Sequence, residues 1–395
     1  MNPSKIFPPR KPRLFPWFAA LLTCAAWTRA DEPAASREPA AVQAARQTLL
    51  AEKREKTFYT KKWDLTDLPA YVPGPAVSGT IRFWGSNYFA DGQLGKYWEE
   101  GFRRYHPGVT WERHLKTSGA AIPALVTGVG DIGANHKITW KELLVFERTF
   151  GYQPLEITVV NGSLNVSGWS NALAIIVHKD NPLVSVTLKQ LDGIFGGPRA
   201  GGWVGSQWHP EYVRGAEENI RAWGQHGLGG EWAAKPIHPY GLNLKYDQSD
   251  DFSRWVLQGS DQWNENIRHF ANYARPDGTL AVDAKQLMES VARDPAAIGY
   301  GNMSDLTPET KALAVAREGG PAVAPTLESA HDGTYPLHEE VYFYLNREPG
   351  QPLDPKVKEF LRYILSREGQ DAVQRDAKYL PLTAGLVRSQ LKKLE

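Results

Sequence analysis

Short apolar runs and amphipathic segments alternate along most of this chain, and that alternation constrains the fold more than any other feature. Residues 80–84 read as a strand. Residues 91–105 read as one helix, because Leu94, Tyr97, Trp98, Phe102 and Tyr105 recur at helical spacing until His106-Pro107-Gly108 stops them. Strands follow at 109–115, 131–134, 155–160, 172–178, 297–300 and 341–345. Helices follow at 121–127, 139–150, 187–195 and 283–293, with a long one at 354–367 whose apolar face is Val357, Phe360, Leu361 and Ile364. The stretch 196–240 is rich in Gly and Trp and reads as loop, apart from a helix at 216–223. Alternating β and α elements imply an α/β fold with largely parallel sheets. A length of 395 residues suits about two domains.

Charge and motif content narrow the function classes. Lys and Arg total 45 against 44 Asp and Glu, without the basic excess of a nucleic-acid binder, so no nucleic-acid partner is expected. There is no dinucleotide or phosphate-loop glycine motif, no GxSxG and no HExxH. The ten histidines show no metal-ligand spacing. No catalytic residue, metal or cofactor is therefore assigned, and an enzyme is not expected.

The N-terminus has the order of an export signal. Lys5, Arg10, Lys11 and Arg13 precede an apolar run at 14–26, too short for the ~20 residues of a membrane span. Thr28-Arg29-Ala30 then offers a small-residue cleavage site before Asp31. Residues 1–30 are expected to be removed, which takes the formal charge from +1 to −4. Cys24, the one cysteine, would leave with them, as suits an oxidising compartment. A lipoprotein box at Leu21-Leu22-Thr23-Cys24 fits less well. Residues 31–77 read as a tether with a helical stretch near 41–56.

Three polar, small-residue turns follow strands and precede helices: Gly85-Ser86-Asn87, Thr117-Ser118-Gly119-Ala120, and Asp131-Ile132-Gly133-Ala134-Asn135-His136. Such turns at strand carboxyl ends line the ligand crevice of an α/β sheet. Helix N-termini there offer free N–H groups that suit anions.

From about residue 78 to 382 the chain resembles the phosphate-specific substrate-binding proteins of bacterial ABC transporters. The stretches that carry the likeness are Val177-His178-Lys179-Asp180-Asn181-Pro182, LKQLDGIF at 188–195, Trp223-Gly224-Gln225 with Gly230-Glu231-Trp232, and Ala297-Ile298-Gly299-Tyr300. Tyr335-Pro336-Leu337 and the segments 341–346 and 353–381 complete it. The resemblance implies a two-lobe periplasmic binding protein fold of type II-like topology. Lobe 1 would comprise 78–170 and 335–390 and lobe 2 171–334, closing over a cleft by hinge motion. It also implies a periplasmic monomer with a small anionic ligand and an ABC permease as partner.

The ligand loops depart from the family pattern. Tyr88 stands where relatives carry Thr; Ser118 is kept; His136-Lys137 replaces Ser-Arg or Asp. The second-lobe loop, usually Gly-Arg-Asn-Ser, one residue, then Ser-Gly-Thr, reads Gly241-Leu242-Asn243-Leu244-Lys245-Tyr246-Asp247-Gln248. The ligand-binding residues this implies are Ser86, Asn87, Tyr88, Ser118, Gly119, His136, Lys137, Asn243, Lys245 and Gln248. The arginine fork and hydroxyls that a buried phosphate needs are absent, and Asp247 would repel the anion. The ligand is therefore expected to differ from orthophosphate. Two alternatives stay open: a conventional phosphate site in which Lys245 or Arg254 replaces the arginine, and a non-transport adapter or sensor on the same scaffold.

Overall fold

A computed structural model describes residues 56–164, 172–277 and 279–395, with helical positions at 44, 47, 48, 51, 52 and 54. The expected signal peptide, its cleavage site, Cys24 and most of the 31–55 segment lie outside the described residues. No helix among the described residues is long and apolar enough to cross a membrane.

Two sheets organise the molecule. The first runs in the order Val109–Leu115, Gly79–Gly85, Ile132–Asn135, Glu340–Leu345, Leu155–Asn161. Its first three strands pair in parallel. Glu340–Leu345 returns from the far end of the chain and pairs antiparallel on both sides. The second sheet runs Arg268–Phe270, His238–Leu242, Ala297–Gly301, Ala174–His178, Thr310–Ala316, Ala322–Val323, with Ser185–Thr187 also beside Thr310–Ala316. There Ala174–His178 lies antiparallel to both neighbours. The sheets are therefore mixed, which corrects the expectation of largely parallel pairing. Apart from the short pair of Thr310–Ala316 with Ala322–Val323, the antiparallel ladders involve the strands where the chain enters the second sheet or returns to the first.

Each sheet buries its own core. Ile81, Phe83, Trp98, Phe102, Phe343 and Phe360 are central to the first; Ile175, Ile176, Phe195, Phe252 and Tyr300 are central to the second. The strand Ala174–His178 is buried at every position, as its continuous apolar run requires. This is a two-lobe α/β architecture, with Ser118 and His136 on the first lobe and the helix Asp247–Val256 on the second.

Several local expectations change. The segment read as one helix is two, Tyr88–Asp91 and Leu94–Arg103, parted where Gly92 is extended (φ −89°, ψ −167°). The expected 354–367 helix is Pro355–Ile364. Ser366 ends it by donating to the Tyr363 carbonyl and accepting from the Gly369 N–H. It thereby caps a further helix, Arg367–Asp376. The expected helix at 216–223 is only a short 3₁₀ turn, Ala216–Glu218. The chain there lies across the end of Leu188–Phe195: the Ile220 N–H donates to the Gly193 carbonyl at 2.9 Å, and Arg221 Nη1 donates to the same oxygen at 2.7 Å.

The stretch 58–77, expected as the end of a tether, is part of the body. Tyr59, Leu65, Leu68 and Tyr71 are buried. Trp63 stacks on His331 at 4.8 Å, while its N–H donates to Gln374 and Lys61 pairs with Glu328. The segment thus touches both lobes.

Trp98 is fully buried, rests against Phe89 and Phe343, and donates its indole N–H to the Gly369 carbonyl at 2.8 Å. Trp98→Ala should therefore destabilise the protein by about 3–5 kcal/mol. A loss of that size in the unfolding free energy from urea titration checks it; a loss below about 1 kcal/mol would mean that this packing is not as tight as described.

Candidate functional site

The three turns of the first lobe meet at the carboxyl ends of its parallel strands. Gly85 ends the first strand at φ +120°, and a Cβ there would lie 2.1 Å from the Ala134 carbonyl oxygen. Only glycine fits so close a crossing. It lets the Ser86 N–H reach the same oxygen at 2.9 Å. Ser118 opens a one-turn 3₁₀ helix, Ser118–Ala120. His136 follows the strand Ile132–Asn135, is buried, and is oriented by its N–H on Asn135 Oδ1 at 2.9 Å.

The second lobe brings the helix Asp247–Val256 to this point, and its first turn carries Asp247 and Asp250. Carboxylates suit that position because the helix dipole is positive there. Asp247 reaches across the cleft. Ser118 Oγ donates to Asp247 Oδ2 at 2.8 Å, and His136 Nε2 stands 3.3 Å from Asp247 Oδ1. On the other edge of the imidazole, Nδ1 is 3.6 Å from Asp251 Oδ1, a charge contact rather than a hydrogen bond. Arg254, one turn further along, bonds Asp251 at 3.2 Å and Glu339 at 2.7 Å. The result is a row in which acidic and basic groups alternate, from Asp247 through His136, Asp251 and Arg254 to Glu339.

Burial opposes the His136 charge, yet Asp247 and Asp251 outweigh it and hold the proton well above the ordinary histidine value. Burial likewise works against Asp247, but His136 and Ser118 keep its carboxyl below the usual range. Asp250 and Glu339 behave differently. Burial and neighbouring carboxylates push Asp250 up to about 7, and burial with Asp251 pushes Glu339 up to about 8. Burial, then Asp247 and Asp251, raise the Tyr88 hydroxyl, which places Tyr88 in the same field.

Of the residues expected to bind ligand, Tyr88, Ser118 and His136 thus converge on Asp247. Ser86 is buried beside them and accepts weakly from the Tyr88 N–H at 3.4 Å. Asn87 turns its amide to Asp91. Gly119 lies within the 3₁₀ turn. Lys137 lines the cleft beside them with its ammonium on both oxygens of Glu156 at 2.7 Å. Asn243 closes its own turn by accepting the Lys245 N–H at 3.2 Å. Lys245 is exposed and lies over the Tyr246 ring, and Gln248 holds the second helical position. Leu242, at the family's arginine position, is buried in the second core. Arg254 does lie in the cleft, but two carboxylates already hold it. Asp251 and Glu339 were not singled out from the sequence. The DQSDDFSRWV segment has too few apolar residues to announce a helix, and Glu339 is one of two adjacent glutamates. Among the described residues no cluster of His, Cys, Asp or Glu is placed to hold a metal ion.

Residues of both lobes thus line a polar cleft, an arrangement suited to holding a small solute. Residues 73–368 match the family model described as a PBP superfamily domain. The phosphate-binding protein PstS of Pseudomonas aeruginosa is 32% identical over 329 residues, covering 83% of this chain and 90% of that one. Protein SphX of Synechococcus elongatus is 24% identical over 72% of this chain and 73% of its own length. A crystal structure of an ABC-type phosphate transport receptor from Vibrio cholerae aligns over 76% of this chain and 99% of that one, at 18% identity and a TM-score of 0.49. The chain belongs to the phosphate-specific substrate-binding protein family of bacterial ABC transporters, within the PBP superfamily.

A histidine charged in the fold contributes fully below its ordinary value of ~6.5. That contribution is lost as pH rises through its raised value. Asp250 and Glu339 act in the same direction, since their ionisation in the fold is also opposed, and His136 eases both, so His136→Gln reports the histidine together with its effect on these two carboxyls. In urea unfolding over a pH series, the stability gap between wild type and His136→Gln should be largest in mildly acidic solution and shrink with alkalinity. A gap independent of pH would show that His136 is not charged in the fold.

Proposed function

We propose that this chain is an exported solute-binding protein that delivers a small ligand to an ABC permease, and that its seat for orthophosphate is filled by its own Asp247 carboxylate. Asp247 carries the argument. Its oxygens take the Ser118 hydroxyl and face the His136 imidazolium, the donor and the cation that a bound anion would use. A free phosphate entering there would meet a carboxylate in a site of low dielectric and would have to break a charge-assisted hydrogen bond worth ~1.5–3 kcal/mol. The guanidinium of Arg254, which could otherwise clasp phosphate in a fork, is paired with Asp251 and Glu339.

A second reading keeps orthophosphate as the ligand. It is favoured by the 32% identity to the phosphate-binding protein of P. aeruginosa. It requires Asp247 to swing away and Arg254 to exchange a carboxylate for the ligand. The permease and the periplasmic location follow from the family in either case. No observation among the described residues favours the adapter role.

Calorimetry separates the two readings. The wild type should give no binding heat with orthophosphate at micromolar concentration. Asp247→Ser, which removes the competing charge and leaves a hydroxyl, should bind phosphate at least tenfold more tightly, a change of ~1.4 kcal/mol or more. Micromolar binding by the wild type, weakened by Arg254→Ala, would establish the second reading.

A further inference from the structure

The helix Trp140–Phe150 belongs to the first lobe, where Leu143 and Phe146 share a buried apolar cluster with Tyr342 and Tyr344 of the first sheet. The short hairpin of Gly202–Val204 with Gln207–His209 belongs to the second lobe, where the Trp203 N–H donates to the Gln258 carbonyl at 2.7 Å. These two elements meet at the rim of the cleft. Trp140 and Trp203 stack there, their centres 4.4 Å apart and their planes 6° from parallel. Each indole is braced from its own lobe: the Lys141 ammonium lies 5.2 Å from the centre of the Trp140 ring, and Trp208 meets Trp203 edge-on at 5.3 Å. Beside the stack, Ser206 Oγ donates to Glu147 at 2.8 Å and Lys141 bonds Asp261 at 2.8 Å.

The loop on the second-lobe side of this contact is strained. Gln258 and Asp261 both have φ +57°, in the left-handed region that is costly for residues other than glycine. The Gln258 carbonyl holds the Trp203 N–H, and the Asp261 carboxylate holds Lys141, so both strained residues serve the rim. Their bonds do not contribute equally. The Lys141–Asp261 side chains are 63% and 40% exposed, and an ion pair so open to water adds little. The indoles cover each other's faces and remove them from water, so the stack carries most of the contact. None of these groups belongs to the row from Asp247 to Glu339.

We propose that Trp140 and Trp203 form a latch that holds the two lobes closed through the chain's own side chains, with the Ser206–Glu147 and Lys141–Asp261 bonds as its guides. A contact that exists only between closed lobes shifts the open–closed equilibrium toward closure by its own free energy, whatever solute the cleft takes. The solute then supplies only part of the closing free energy, and its exit waits on separation of the indoles. The latch goes beyond the filled-seat reading and does not depend on it, because Asp247 and the indole pair are separate attachments between the lobes.

Small-angle scattering on the full chain, with no solute added, tests the latch. The wild type should fit the closed arrangement, and Trp203→Ala should raise the radius of gyration while Asp247 stays in place. Asp247→Ser, which breaks the other attachment, should remain closed. A further variant, Lys141→Glu with Ser206→Asp, leaves both cores intact and sets carboxylates against Asp261 and Glu147. It should open the cleft in low salt and let it close again as added salt screens the repulsion. A wild type that fits only an open arrangement would overturn the proposal, and so would a folded Trp203→Ala at the wild-type radius. If Trp203→Ala does not fold, an unchanged radius in the charge variant overturns it instead. An Asp247→Ser that opens as far as Trp203→Ala would also overturn it, by showing that the seat and not the rim holds the lobes. Tight orthophosphate binding by the wild type would sink the filled-seat reading and leave the latch standing.

Discussion

The carboxylate of Asp247 accepts a hydrogen bond from Ser118 on one lobe and faces the His136 ring on the same lobe, while its own backbone starts a helix of the other. The rest of the cleft depends on that triangle. Ser118 and His136 follow two different strands, and those strands end at the same level only because both pair in parallel, or through a common neighbour, with Gly79–Gly85. The helix on the opposite side can approach so closely because its first turn is acidic and theirs offers a hydroxyl and an imidazolium. A buried carboxylate with no such partners would take up a proton or force the lobes apart.

The alternation of sign beyond Asp247 extends the same logic. His136 stands between two aspartates, and Arg254 between Asp251 and Glu339. The two basic groups are tolerated there because acidic side chains flank each of them on both sides. Removal of one member leaves the next uncompensated, which costs more than the intact pair contributes. The row is therefore a unit in which single substitutions act beyond their own contact. It is anchored at Glu339, beside the strand Glu340–Leu345 where the chain re-enters the first sheet, so the charge arrangement and the inter-lobe connection share one position.

How far the sequence reveals this follows physical lines. Elements with strong periodicity and a clear stop were legible: Leu94–Arg103 before His-Pro-Gly, Trp140–Phe150 with its Thr139 cap, and Asp283–Arg293. Ser118 and His136 were legible as cleft residues because turns at parallel-strand ends have a fixed place in such a fold. The pairing of Lys137 was not: a lysine next to a cleft histidine reads as a ligand group, and only tertiary structure reveals that Glu156 already holds its ammonium. The row from Asp251 to Glu339 joins residues 88 positions apart in the chain, and no local pattern encodes that meeting. Helix Asp247–Val256 is carried by two buried apolar side chains, Phe252 and Val256, too few for periodicity to stand out against the acids around them.

The sign of Asp247 in the sequence, taken alone, says only that the cleft repels anions. Its geometry says more. A carboxylate tethered to the backbone and already oriented toward Ser118 and His136 acts at a high effective concentration, because its freedom was lost when the helix folded. A free anion must overcome that advantage as well as the charge. On the reading proposed above, a single acidic turn at the entrance of one helix closes the anion seat of a phosphate-binding scaffold with no change to the sheets that hold either lobe together.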